Sequence, residues 1–111
     1  MNSGHENAVP GRGVAGSFES CDALVVVTLP LPLPGGGLIA SGGISLHLES
    51  PSPAVCGERM KRAAMETLRT LGVNDADVAI RDRGALDCTL AARVETAVRR
   101  ARASAAEVNR P

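Results

Sequence analysis

A chain of 111 residues is long enough for one domain and short for two of ordinary size. Twelve basic residues balance twelve acidic ones, so no net field draws the chain onto nucleic acid or an anionic membrane. Phe18 is the only aromatic, which removes the stacking surfaces of a single-strand binder and most hot-spot side chains of a large interface. The core has to come from Leu, Val, Ile, Ala and Met.

Residues 1–13, MNSGHENAVPGRG, are polar and lack periodicity, so they read as a flexible arm without the apolar segment of a signal peptide. ALVVVTL (23–29) is a continuous β-branched run of strand length. It stops at Pro30, Pro32 and Pro34, which lack the N–H that a sheet ladder needs, and PLPLPGGG reads as a connection. ISLHLES (44–50) alternates strictly, with Ile44, Leu46 and Leu48 on one face, and is expected to be a half-buried antiparallel strand.

Ser52 and Pro53 have the chemistry of an N-cap and a first helical position. Cys56, Met60, Ala64, Leu68 and Leu71 then form an apolar stripe at helical spacing, with Gly72 placed as the left-handed terminator. DADVAIRD (75–82) alternates again with Val78 and Ile80 inward, and Arg83-Gly84 makes a turn. Leu86, Leu90, Val94, Val98 and Ala101 predict a second amphipathic helix, whose Arg99, Arg100 and Arg102 complement its dipole and whose Glu95 pairs with Arg99. Together these elements predict an α+β two-layer sandwich: a mainly antiparallel sheet of about four strands with two amphipathic helices on one face.

Few motifs carry chemistry. GRGVAG (11–16) has the letters of a dinucleotide fingerprint but lacks the strand before it and the helix after it, so it reads as a flexible lead-in. No stretch approaches the ~20 apolar residues of a membrane helix. Cys21, Cys56 and Cys88 are widely separated, without a CxxC or Cys/His cluster. That speaks against zinc and against a secreted disulfide scaffold, and places the chain in a reducing cytoplasm. His5 and His47 offer no base close in sequence to Ser20, and Glu19, Asp22, Asp82 and Asp87 make a paired-carboxylate site only if the fold gathers them.

Ser20, in GSFESCD (16–22), is a hydroxyl in an acidic turn with no visible base. Two readings stay open: it shapes the turn by bonding its own backbone, or it accepts a group from another protein. An acceptor needs exposure and no base of its own.

AGSFESCD (15–22), taken with DRGALDCTLAARVETAVRRA (82–101), resembles two motifs of the citrate lyase acyl carrier protein (gamma subunit) family, in the same order and separation. The resemblance covers about residues 14–103, leaving 1–13 as arm and 104–111 as flexible tail. It implies that Ser20 carries 2'-(5''-phosphoribosyl)-3'-dephospho-CoA through a phosphodiester made by a separate prosthetic-group transferase. The thiol of that group would hold acetyl and citryl thioesters. It further implies two partners, an alpha subunit (citrate CoA-transferase) that releases acetate and a metal-using beta subunit (citryl-CoA lyase) that releases oxaloacetate. The small chain itself would be a non-catalytic carrier that binds neither nucleic acid nor membrane.

The carrier subunit of malonate decarboxylase is the near alternative, with GALDC (84–88) favouring citrate, and an unmodified adaptor domain is the third reading. Cys21 stands where the resembled motif has a glycine or another small residue, so a positive φ there would bear on the turn. Arg81 and Arg83 have the charge type to contact the phosphates of the arm.

Overall fold

The computed structural model describes residues 11–30, 43–51 and 53–108. His5, the Pro/Gly-rich connection after Pro30, the Ser52 cap and the ends of the expected arm and tail lie outside them. The elements are strands β1 (Arg12–Gly16), β2 (Ala23–Thr28) and β3 (Ile44–Glu49), helix α1 (Pro53–Thr70), strand β4 (Ala76–Asp82) and helix α2 (Asp87–Val108).

The strands form one sheet in the order β1-β2-β4-β3. β2 pairs antiparallel with both β1 and β4, while β3 runs parallel to β4. The expected sandwich with a mainly antiparallel sheet is therefore present, with a correction at β3. Its alternation reported that one face is buried, and alternation carries no information on direction. The helix between β3 and β4 decides direction, because a crossover of that length returns the chain parallel.

Register lines up the core. Ala15, Val25, Ile80 and Leu48 form one row across the sheet, and Val27, Val78 and Leu46 lie in the next. Met60, Ala64 and Leu68 of α1 and Leu90, Val94 and Val98 of α2 are buried in the same core. Each fully buried Leu, Val or Met contributes about 1.5–3 kcal/mol relative to exposure. Leu86, expected on the α2 stripe, instead precedes the helix and is 69% exposed, its carbonyl accepting the Leu90 N–H. No helix among the described residues is long and apolar enough to cross a membrane.

The end of α1 follows its chemistry. Gly72 has φ 75°, its N–H donates to the Arg69 carbonyl, and the Val73 N–H donates to that of Leu68, which is a Schellman closure. The α2 arginines serve other ends than the one expected. The helix continues to Val108 with no basic residue in its last turn. Arg100 donates to the Val14 carbonyl and Arg102 to the Leu71 carbonyl, each at 2.7 Å, so they tie α2 to β1 and to the negative end of α1. Glu95 and Arg99 do pair, at 2.6 Å.

GRGVAG is the main revision: it is no flexible lead-in but the strand β1. Gly11 and Gly13 face α2 so closely that a Cβ at Gly13 would lie 2.0 Å from the Ala97 carbonyl oxygen, and one at Gly11 would lie 2.2 Å from that of Ala101. The glycines are there for close approach, and β1 starts inside the segment expected as arm. At the other end α2 runs into the segment expected as tail.

This contact makes a prediction. Gly13→Ala sets a side chain against the α2 backbone, so denaturant unfolding should show a loss of about 1–3 kcal/mol. Gly57, in α1, has open space where a Cβ would stand, and Gly57→Ala should instead stabilise by up to about 1 kcal/mol. Equal effects at the two positions would contradict the close-packing account.

Candidate functional site

Residues 17–22 join β1 to β2 by a turn that is held from several directions. The Asp22 N–H donates to the Glu19 carbonyl at 3.1 Å, closing a four-residue turn with Ser20 and Cys21 at its centre. Cys21 has φ 66°, the positive value that the third position of a type II turn needs. The small residue expected there therefore has a backbone reason, and Cys21 adopts the conformation with a side chain at a cost of about 1–2 kcal/mol.

Beyond the turn, the Cys21 N–H donates to the Arg83 carbonyl at 2.7 Å and the Arg83 N–H to the Asp22 carbonyl at 2.9 Å. These bonds carry the β2–β4 ladder into the turn. Gly16, at φ 88°, allows the approach on the other side, since a Cβ there would meet the Ala23 carbonyl oxygen at 1.8 Å.

Asp22 is the hub. Its Oδ2 accepts from the Ser17 hydroxyl at 2.7 Å, and its Oδ1 accepts from the Ala23 N–H at 2.7 Å and from Arg93 Nε at 2.9 Å. A second Arg93 nitrogen reaches Oδ2 at 3.4 Å. The Arg93 bond above all, with those from Ser17 and Ala23, holds the carboxyl at about 2, below its ordinary 3.8. Asp22 is thus a committed anion and no proton acceptor at neutral pH.

Two of the other candidate acids also have partners of their own. Asp82 is buried; its Oδ1 accepts from the N–H groups of Gly84 and Ala85 and its Oδ2 from the Ser50 hydroxyl. It continues the inward alternation of Ala76, Val78 and Ile80 and shapes the turn before α2. Asp87 pairs with Arg59 at 3.1 Å, and Glu19 is exposed. Asp22, Asp82 and Asp87 each bond to different partners. His47 lies on β3, separated from β2 by β4, where Ser45 and Asp77 lie each 3.3 Å from its ring. No group of three or more metal-ligating side chains exists among the described residues.

Ser20 is exposed at the apex of the turn. No described residue hydrogen-bonds its hydroxyl, while Ser17 and Asp22 do the turn-shaping that Ser20 was one candidate for. Beside it, Phe18 is 43% exposed, with the guanidinium carbons of Arg81 and Arg83 at 4.5 and 4.8 Å from its ring centroid. Sequence reasoning missed Ser17, Phe18 and Arg93. Arg93 stands 71 positions from Asp22, and nothing local links the two.

The lowered Asp22 carboxyl fixes a sign. A depressed folded value contributes stability above the unfolded 3.8, and that stability is lost as pH falls through about 2. Asp22→Asn should therefore be less stable than the parent at pH 6, and the gap should narrow as pH drops from about 4 to about 2. Urea unfolding across that range checks it; a gap constant with pH would contradict the ionic hub.

The chain matches the family model described as "ACP: Malonate decarboxylase delta subunit (MdcD)" over residues 11–101. It is 42% identical over 88 residues to the citrate lyase acyl carrier protein of Streptococcus uberis, covering 79% of this chain and 77% of that one. It is 43% identical over 88 residues to that of Escherichia fergusonii, covering 79% and 81%. A solved structure of a Pseudomonas malonate decarboxylase hetero-tetramer in complex with malonate contains a chain that aligns at TM-score 0.49 and 18% identity, covering 85% of this chain and 89% of that chain. The chain belongs to the citrate lyase acyl carrier protein family, within the acyl carrier family whose model covers it from Gly11 to Ala101.

Proposed function

We propose that Ser20 is the covalent attachment point of 2'-(5''-phosphoribosyl)-3'-dephospho-CoA and that the chain is the carrier subunit of a citrate lyase. The observation that carries this reading is the exposed Ser20 hydroxyl, which takes no part in holding its own turn. Such a hydroxyl fits a phosphodiester anchor: it is open to an attaching enzyme, and substituting its proton breaks no bond of the fold. With no described residue hydrogen-bonded to Ser20 Oγ, the base that takes its proton belongs to the transferase in this reading.

When bound, the prosthetic group supplies the thiol on which the acyl group is carried. The residues of this chain hold the anchor. Asp22, Ser17 and Arg93 fix the turn against α2, and the Arg83 backbone fixes it against β4. A firm base beneath a short flexible tether gives millimolar-scale effective concentration at each docking site, so hand-off between larger subunits becomes effectively intramolecular. Those subunits are a citrate CoA-transferase and a citryl-CoA lyase in this reading. GALDC (84–88) and relatives that carry the citrate lyase name support citrate. The description of the family model favours a second reading, the carrier of malonate decarboxylase.

Co-expression with the cofactor-synthesising and attaching enzymes should add the mass of the prosthetic group to the full chain. Ser20→Ala should abolish that gain while changing unfolding stability by no more than about 0.5 kcal/mol. An unmodified parent chain, or an undiminished gain in the variant, would refute the attachment reading. Supplying the loaded complex with citrate and with malonate separates the two carriers: acetate and oxaloacetate from citrate alone is the expected result.

A further inference from the structure

We propose that Phe18, Arg81 and Arg83 form a platform on which the phosphate-bearing nucleotide portion of the arm on Ser20 rests between hand-offs. The proposal rests on the attachment reading above and concerns side chains that reading does not use.

The first ground is position. Phe18 precedes Ser20 by two residues in the same turn, and the Arg83 carbonyl accepts the N–H of Cys21, the residue after Ser20. Arg81 lies on the adjacent strand, opposite Leu24 of β2. All three lie in or beside the turn that holds the anchor, so a tethered group meets them at high local concentration and even weak contacts are populated.

The second ground is the ring. Phe18 is the only aromatic of the chain, and it stands outside the core, 43% exposed. Two guanidinium groups gather on it, at 4.5 and 4.8 Å from the centroid. A phenyl ring flanked by planar cations presents the surfaces on which a purine stacks.

The third ground is loosely committed charge. Arg83 has no carboxylate within ion-pair distance among the described residues; the acceptor of its guanidinium is the Phe18 carbonyl at 3.3 Å. Arg81 faces Glu49 at 3.6 Å, a pair in which both side chains are more than half exposed. Exposed pairs of this kind are worth little, so an anion displaces them readily. Arg93, by contrast, is bound by both oxygens of Asp22 and is not available. Guanidinium forks match phosphate oxygens, and Arg81 and Arg83 are the two placed to offer them. The competing role for the cluster is stiffening of the turn alone, and that role requires no response to loading.

The test compares the isotope-labelled full chain before and after loading, with intact mass recording whether the group is attached. The expected result is that loading shifts the Arg81 and Arg83 Nε–H signals and the Phe18 ring signals, with magnetisation transfer between that ring and the purine protons. In the loaded Arg81→Gln/Arg83→Gln variant the transfer should be lost while the added mass remains. A loaded parent chain whose Phe18 and arginine signals stay at their unloaded positions would overturn the platform and leave the attachment standing. A chain that gains no mass would overturn both. The parent comparison decides the matter even if the double variant folds poorly.

Discussion

The Asp22 carboxylate gathers the Ser17 hydroxyl, the Ala23 N–H and two nitrogens of Arg93, and the organisation of the functional end of the molecule depends on that gathering. It binds the β1–β2 turn to α2, the last element of the chain. A carboxylate so engaged stabilises geometry and gives up basicity. Asp82 likewise shapes a turn, the one between β4 and α2, by accepting the Gly84 and Ala85 N–H groups. Asp22 and Asp82 are thus structural, and no described residue hydrogen-bonds the Ser20 hydroxyl.

The hub in turn needs α2 to lie close against β1. Gly11 and Gly13 permit this by presenting bare backbone to Ala97, Ala101 and Ala105. Arg93 lies one helical turn before Ala97, so the approach that seats Ala97 on β1 also delivers the guanidinium to Asp22. Gly16 completes the arrangement, since a Cβ there would come within 3.0 Å of Arg93 Cδ as well as striking the Ala23 backbone. Small residues along one strand therefore position an ion pair at its end. A domain with almost no aromatic mass gains a firm turn in this way, the base that the proposed attachment at Ser20 would use.

Much of this was legible beforehand where the physics is local. The β-branched run of β2, the stripe of α1 and the Gly72 terminator each depend on neighbours a few residues away, and each formed as expected. Misreadings arose where a partner distant in sequence decides the outcome. β1 lacks a strand-like composition because its glycines answer to α2, yet small residues at every second position of GRGVA facing alanines at every fourth position of α2 were the available signal. The parallel direction of β3 followed from the crossover rather than from its own alternation. Arg100 and Arg102 found carbonyls on other elements before they could serve the end of their own helix. Ser20 was identifiable as a hydroxyl in search of a role, but its isolation from the turn's bonding required Ser17 and Asp22 to be seen together.

The central claim, that Ser20 holds a removable passenger and supplies no chemistry itself, is tested most directly by fragmentation mass spectrometry of the full chain isolated from its native host. The account predicts one added mass, localised by the fragment ions to Ser20. An adduct on Cys21 or Cys88, or a bare chain recovered from a complex that turns over substrate, would contradict it.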